Sequence, residues 1–287
     1  MKDYRKEYPI GKMCQVFKVS RSGFYDWLNR SPSKRDGENR MLLSEIMRIH
    51  QWCKATYGSI RMTDELNARG FKVSRNRVAR LMKQNKLKAV HAKKFVATTD
   101  SKHSYPVVEN RLARDFTAQQ SGKVWVSDIT YIKTAKGWLY LTVIIDLFDR
   151  KVVGWSQSSD MKAANTVMAA WKMAVSNRPL AGQLIFHSDR GVQYACSEFT
   201  DLLGSYQCVE RSMSRKGDCW DNAVAESFFK TIKVELIYRN RYPTKEHVAL
   251  AIFEWIETWY NRHRRHSALG GKSIVEFEKS MQIKNVA

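Results

Sequence analysis

The sequence predicts an α/β protein, a mixed sheet flanked by helices, preceded by all-α helix-turn-helix segments. Three observations carry this. Residues 124–159 form three consecutive runs rich in Val, Ile, Thr, Tyr and Trp, joined by short turns as antiparallel strands are. Residues 163–203 then alternate helical, apolar-extended and helical stretches, the order that lays helices against a sheet. Residues 9–87, by contrast, show only helical periodicity.

Taken along the chain, residues 9–28 read as a short helix, a turn at Val19 and Ser20, and a second helix with Phe24, Trp27 and Leu28 on one face. Residues 31–40, SPSKRDGENR, mix Pro, Gly, Ser and charges and read as a linker. Three helical pieces follow, marked by Leu42, Leu43, Ile46 and Ile49, by Ile60, Met62 and Leu66, and by Val78, Leu81 and Met82. Gly70 suits a helix end and Ser74 an N-cap. Residues 88–122 are basic and poorly periodic, with Pro106 inside, and the second domain starts near Phe116. Strands are predicted at 124–132, 138–148, 151–159 and 184–187, and helices at 163–175 and 199–203. The resulting division is a short helical segment at 1–38, a helix-turn-helix domain at 39–90, a basic linker at 91–115 and a larger domain with a helical tail at 116–287.

Composition narrows the function. With 287 residues, 44% hydrophobic and 27% charged, the chain has the makeup of a soluble globular protein and not of a disordered one. Its 49 Lys and Arg against 28 Asp and Glu give a net charge of +21, which calls for an anionic partner. Residues 1–115 hold 26 basic and 11 acidic side chains, residues 116–287 hold 23 and 17, so the first part looks like the grip. A membrane surface is disfavoured: the longest apolar stretch, Trp138 to Phe148, is interrupted by Asp146, and the N-terminus lacks the hydrophobic core of a secretion signal. A cytoplasmic protein, associated with the nucleoid when on DNA, is expected. Cys14, Cys53, Cys196, Cys208 and Cys219 form no CxxC pair, and His263 and His266 have no second ligand pair nearby, so neither a disulfide framework nor a zinc site is expected.

Three acids stand out. Asp128 lies inside a strand of Val, Trp, Ile, Thr and Tyr, where an unpaired carboxylate costs several kcal/mol or takes up a proton. Asp189 ends the strand LIFHSD, at the carboxyl edge where open α/β sheets gather ligands. Glu226 lies opposite the apolar stripe Ala225, Phe228, Phe229, Ile232 and Leu236, on a polar helix face with Asn222, Lys230 and Lys233. Three such carboxylates meeting at the sheet edge would hold hard divalent cations. Taken singly, each also fits a structural role: an Arg partner for Asp128, a turn cap at Asp189, an exposed pair of Glu226 with Lys230. Asp146 and Asp149 read as structural. For the polyanion, the candidates are Arg75, Arg77, Arg80 and Lys83 on the third helix of the basic domain and the cluster Arg262, Arg264 and Arg265 beside Trp259 and Tyr260.

These residues resemble a known family, the OrfB-type DDE transposases of the IS-three group of bacterial insertion sequences, which share the catalytic core of retroviral integrases. Trp125-Val-Ser-Asp128-Ile-Thr-Tyr-Ile resembles the first-Asp motif, and His187-Ser-Asp189-Arg-Gly191-Val-Gln193-Tyr194 the second. Ser212 through Lys233 resembles the Glu motif, including a basic residue seven positions after Glu226. Tyr260 through Leu269 resembles the C-terminal signature, and Tyr57-Gly58 through Arg61 with Ser74 to Met82 the helix-turn-helix. Two departures stand out: 36 residues separate Asp189 from Glu226, one more than usual, and Ile274 replaces a proline after the signature's Ser.

The resemblance implies a ribonuclease H-like integrase catalytic core in which Asp128, Asp189 and Glu226 are the catalytic residues and bind two Mg²⁺ ions, with Mn²⁺ able to substitute. Water nicks a transposon end, and the freed 3′-hydroxyl attacks another phosphodiester, with no covalent enzyme intermediate. Lys233 is the candidate for holding a phosphate beside the metals. The implied partners are DNA, as transposon ends and target, further copies of the chain on that DNA, and the product of an upstream OrfA reading frame or its fusion to this chain. The competing reading is a non-catalytic DNA-binding regulator or an inactive relic of a mobile element; retention of all three acids favours the enzyme.

Overall fold

A computed structural model of the chain describes residues 1–90, 106–216 and 218–286. Helices α1 (Ile10–Val16) and α2 (Arg21–Asn29) form the N-terminal pair, and the Ser20 side chain caps α2 by accepting from the Gly23 amide. Helix α3 (Lys34–Trp52) starts inside the stretch expected to be a linker. Its start is fixed by a capping box, Ser33 Oγ accepting from the Asp36 amide while Asp36 accepts from the Ser33 amide. The polar, Pro-containing composition of 31–40 is therefore a helix N-terminus and not a linker.

Helices α4 (Ser59–Ala68) and α5 (Arg75–Gln84) complete the helical module around Ile46, Ile49, Tyr57, Met62, Leu66 and Val78. Gly70, at φ +91°, makes the left-handed turn after α4, and Ser74 caps α5 at the Arg77 amide. Most of the expected basic linker, 91–105, falls outside the described residues.

The second module is built on a five-stranded sheet of order β3-β2-β1-β4-β5: β1 (Val124–Thr134), β2 (Gly137–Asp146), β3 (Val152–Ser158), β4 (Leu184–Ser188) and β5 (Val209–Met213). The first three pair antiparallel, and β4 and β5 run parallel to β1. On one face pack α6 (Val167–Asn177), α7 (Val192–Ala195) and α8 (Ser197–Gly204), enclosing Trp125, Trp171, Phe186, Tyr194 and Phe199. Gly154 lets α6 lie directly on β3; a Cβ there would stand 2.7 Å from the Ala174 methyl.

On the other face α9 (Ala223–Glu235) and α10 (Lys245–Glu254) cover Val126, Val143, Phe228, Phe229 and Ile252. Helix α10 continues into a π-helical stretch, Trp255–His263, followed by a small hairpin of β6 (Arg265–His266) and β7 (Lys272–Ser273) and by α11 (Ile274–Val286). Ile274 is fully buried in the first position of α11, behind a box in which Ser273 and Glu276 exchange hydrogen bonds. That is the helix position proline also tolerates, so the departure from the family signature leaves the turn intact. Strand β5, absent from the sequence prediction, lies between Asp189 and Glu226.

Candidate active site

Alternation along β1 decides where Asp128 points. Val126 and Ile132 face the layer of α9, and Trp125 and Ile129 face that of α6, so the even-numbered Asp128 falls on the α9 side. Strands β1 and β4 pair in parallel with Val124 opposite Ile185 and Val126 opposite His187. Continued two residues beyond the last pair, past the end of β4 at Ser188, this register carries Asp189 toward Asp128, the spacing of neighbouring strands being about 4.8 Å. Glu226 enters from above, in the first turn of α9, where the helix dipole favours a carboxylate.

Local bonds hold each acid. The Ile129 amide donates to Asp128 Oδ1 at 2.8 Å, and the Gly191 amide donates to Asp189 Oδ1 at 2.8 Å. A Cβ at Gly191 would stand 3.0 Å from that same oxygen, so the tight approach needs a small residue. Behind β1, Ser127 is clamped from two sides: its hydroxyl pairs with Tyr194 Oη at 2.8 Å, and Asn222 Nδ2 donates to its carbonyl at 2.9 Å. The Asn222 side of the clamp is fixed by the next residue back, Asp221, which takes hydrogen bonds from Arg114 and Arg215 that hold its carboxyl far below the usual range. His187, buried between Ser212 Oγ and Ser214 Oγ at 2.9 and 3.1 Å, stitches β4 to β5, and burial pushes it down to about 4.

Burial raises the Asp128 carboxyl well above the usual carboxylate range, Asp189 and Glu226 raise it further, and Lys233 opposes them. Partial desolvation raises Glu226 as well. Among the described residues no group of three or more His, Cys, Asp or Glu side chains is placed so that it could hold a metal ion as it stands. The donors are nevertheless hard oxygens with an excess of negative charge, and such a set fits a divalent cation. The polar face expected for α9 is only partly solvent-facing: Glu226 and Lys230 are exposed, whereas Asn222 and Lys233 are buried.

The basic candidates divide sharply. On α5, Arg75, Arg80 and Lys83 are exposed, whereas Arg77 turns back to Asn39 and Glu38 on α3. Arg262 is exposed, its Nε donating to the Glu257 carbonyl. Arg264 and Arg265, expected to track DNA, are both 5% exposed. Arg264 donates to both oxygens of Glu235, and Arg265 donates to Glu65, Glu276 and the Gly271 carbonyl. Their guanidinium groups are structural, because acceptors within the chain occupy the donors a phosphate would need. Asp146 and Asp149 are structural as expected, both bound by Arg178. Sequence reasoning did not find Tyr57, Glu65 and Glu235 as partners of the C-terminal signature; the spacing of Arg61 and Glu65 along one face of α4, with Tyr57 just before the helix, was the signal available.

An integrase core domain matches residues 118–219 and a second integrase core domain model matches residues 207–273. An HTH-like domain matches residues 37–95. The chain is 41% identical over 267 residues to the insertion element IS600 uncharacterized 31 kDa protein of Shigella sonnei, covering 93% of this chain and 97% of that one. It is 39% identical over 277 residues to transposase InsF for insertion sequence IS3A of Escherichia coli strain K12, covering 96% of each. Among solved structures, the HTLV-2 integrase catalytic core domain in complex with magnesium aligns with a TM-score of 0.43 at 20% identity, over 55% of this chain and 97% of that one. A ribonuclease H-like core behind a helix-turn-helix module, carried at these identities over nearly the whole of both chains, places the protein in the IS3-family InsF transposases.

Proposed function

We propose that Asp128, Asp189 and Glu226 are the catalytic carboxylates with which this transposase cuts the ends of its element and joins them to target DNA. The observation that supports this most is the arrangement just described: one acid on β1, one immediately beyond the end of the parallel strand β4 and a third at the start of the covering helix, with Asp128 under the joint influence of the other two. The same three residues would hold a pair of Mg²⁺ ions, with Mn²⁺ able to replace them; bound there, the ions supply Lewis acidity to the attacking and leaving oxygens. What the chain itself contributes is position. Ser127, held by Tyr194 and Asn222, fixes the β1 segment that bears Asp128, and the Gly191 amide fixes Asp189. Lys233, the cation closest in effect to Asp128, is suited to retain the scissile phosphate.

Each step exchanges one phosphorus–oxygen bond for another: water displaces the 3′-oxygen at the nick, and the resulting 3′-hydroxyl displaces a 3′-oxygen of the target, with a proton lost from the attacking oxygen each time. Arg75, Arg80 and Lys83 present an exposed basic face of α5 to the element's terminal repeats, and Arg262 adds a contact from the core. Copies of the chain assemble on the paired ends, and the upstream OrfA product, alone or fused, supplies further end recognition. Division of labour follows modules at 1–33, 34–90, 91–115 and 116–287, the first boundary moving from 38 because α3 (Lys34–Trp52) runs through that position.

The test is cleavage of duplex DNA bearing the element's terminal repeat, with the purified chain alone or with its upstream partner. Mg²⁺-dependent nicking by the wild type, abolished in Asp128→Asn, Asp189→Asn and Glu226→Gln with DNA binding retained, is the expected result. Undiminished cleavage by any of the three refutes the assignment.

A further inference from the structure

The C-terminal signature is the place where the two modules meet. Helix α4 turns one face toward the core, bearing Arg61, Asp64 and Glu65, with Tyr57 just before its N-terminus. Across from it stands the segment from the end of α9 to the start of α11. Arg265 Nε donates to Glu65 Oε2 at 2.6 Å while its two terminal nitrogens hold Glu276 at 2.9 and 3.0 Å. Glu65 is braced from its own module by Arg69 at 2.8 Å. The Arg265 amide donates to Tyr57 Oη at 3.0 Å, and that hydroxyl donates to the His263 carbonyl at 3.3 Å. Arg61 and Arg264 share Glu235.

Packing reinforces the polar bonds. Trp259, carried on the π-helical stretch, packs edge-on to Trp52 with ring centres 5.0 Å apart and lies 5.7 Å from Tyr57. Gly271, at φ +79°, brings the β6–β7 turn so close to α4 that a Cβ would stand 2.7 Å from the Asp64 carboxylate. Arg239 reaches the Lys54 carbonyl from the far end of the contact.

We propose that Glu65, Arg265 and Gly271 form a buckle that fixes the helix-turn-helix module on the catalytic core as one body, and that this buckle sets which phosphate is cut. These are positioning residues and touch neither DNA nor metal. The reasoning is geometric. The exposed basic side chains of α5 and the three carboxylates lie in different modules, and the span between them fixes the number of base pairs from the recognised repeat to the cut. Each base pair advances about 3.4 Å along the duplex, so a slack of only that size moves the cut by one nucleotide. Buried, multiply bonded ion pairs tolerate far less displacement than that before losing their partners. The proposal rests on the cleavage activity proposed above, and its test separates the two.

Spin labels on bio-orthogonal residues replacing exposed Ser44 on α3 and Lys172 on α6 report the distance between modules in the full chain. The wild type gives one narrow distance distribution, and Glu65→Gln and Gly271→Val broaden it. On duplex DNA carrying the terminal repeat, the wild type nicks at one phosphate. Both variants spread the nicks over two or more neighbouring phosphates while total nicking and DNA affinity stay within about threefold of wild type. A broad distribution in the wild type overturns the proposal, and that measurement alone decides if neither variant folds. Variants that broaden the distance yet cut at one phosphate, or that match the wild type in both readouts, also overturn it. Absence of nicking by the wild type itself contradicts the catalytic reading and leaves the distance result standing.

Discussion

Arg265 and Glu65, 200 positions apart in the chain, meet at 2.6 Å across the junction of the two modules, and their neighbours Arg264 and Glu235 form a second buried pair at 2.8 Å beside them. Arg264 and Arg265 of the C-terminal signature thus face inward, and of that cluster Arg262 alone keeps its charge at the surface.

Removing one partner of the second pair is the sharpest stability test. Glu235→Ala strands the Arg264 guanidinium, whose side chain is 6% exposed, and also removes the acceptor of Arg61. An uncompensated buried charge costs about 3–5 kcal/mol. Urea denaturation is expected to show a loss of that order, far beyond the few tenths expected from Lys230→Ala on the exposed side of the same helix.

Salt dependence distinguishes arginines that touch phosphates from those that do not. Arg75→Ala, Arg80→Ala and Lys83→Ala are each expected to weaken binding to duplex DNA and to reduce the slope of log K against log salt by about 0.9, the contribution of one released counterion. Arg77→Ala is expected to change the slope less, because Arg77 already bonds Asn39 and Glu38. Binding measured from low to moderate salt checks both.

Why one set of arginines was legible and the other not follows from what each requires. A solvent-facing basic helix needs only local periodicity, and α5 shows it: Val78, Leu81 and Met82 point inward while Arg75, Arg80 and Lys83 point out. The burial of Arg264 and Arg265 depends on Glu235, Glu65 and Glu276, distant in sequence, and a run such as Arg-His-Arg-Arg-His reads locally as a surface cluster. Strand β5 escaped for a similar reason. Val-Glu-Arg-Ser-Met is an edge strand with a charged pair, Glu210 bonding Arg111, and edge strands need no apolar run. The polar stretch 31–40 concealed a helix start because the same Ser and Asp residues serve loops and caps alike. Of the three acids proposed as catalytic, Asp128 was the one the local pattern singled out, since a carboxylate in an apolar strand conflicts with its surroundings, whereas the set of three rested on the family resemblance.

A buried histidine gives the pH dependence. His266 packs edge-on to Tyr260 with ring centres 4.8 Å apart, and burial together with the Arg264 charge pushes it down to about 3. The unfolded chain takes up a proton near 6.5 and the folded chain does not, so this contribution to stability is complete above 6.5 and is lost as the pH falls toward 3. The expected slope is about 1.4 kcal/mol per pH unit within that window. Unfolding free energies of wild type and His266→Phe, compared between pH 7 and 4, are expected to converge as the pH falls.

The close contact of α6 with β3 makes a backbone test. Gly154→Ala places a methyl group against Ala174 and the Ala170 carbonyl, and overpacking of this kind costs roughly 1–3 kcal/mol. A lowered melting temperature with unchanged DNA affinity is expected, since α5 lies in the other module.

The most direct measurement of the catalytic assignment uses the metal itself as a reporter. Fe²⁺ substituted for Mg²⁺, with ascorbate and peroxide, generates hydroxyl radicals that cut the polypeptide beside the ion. Chain cleavage at three places, close to Asp128, Asp189 and Glu226, suppressed by excess Mg²⁺ and lost in Asp128→Asn, is the predicted outcome. Cuts confined to other segments, or cuts at these positions that persist undiminished in Asp128→Asn, would contradict it.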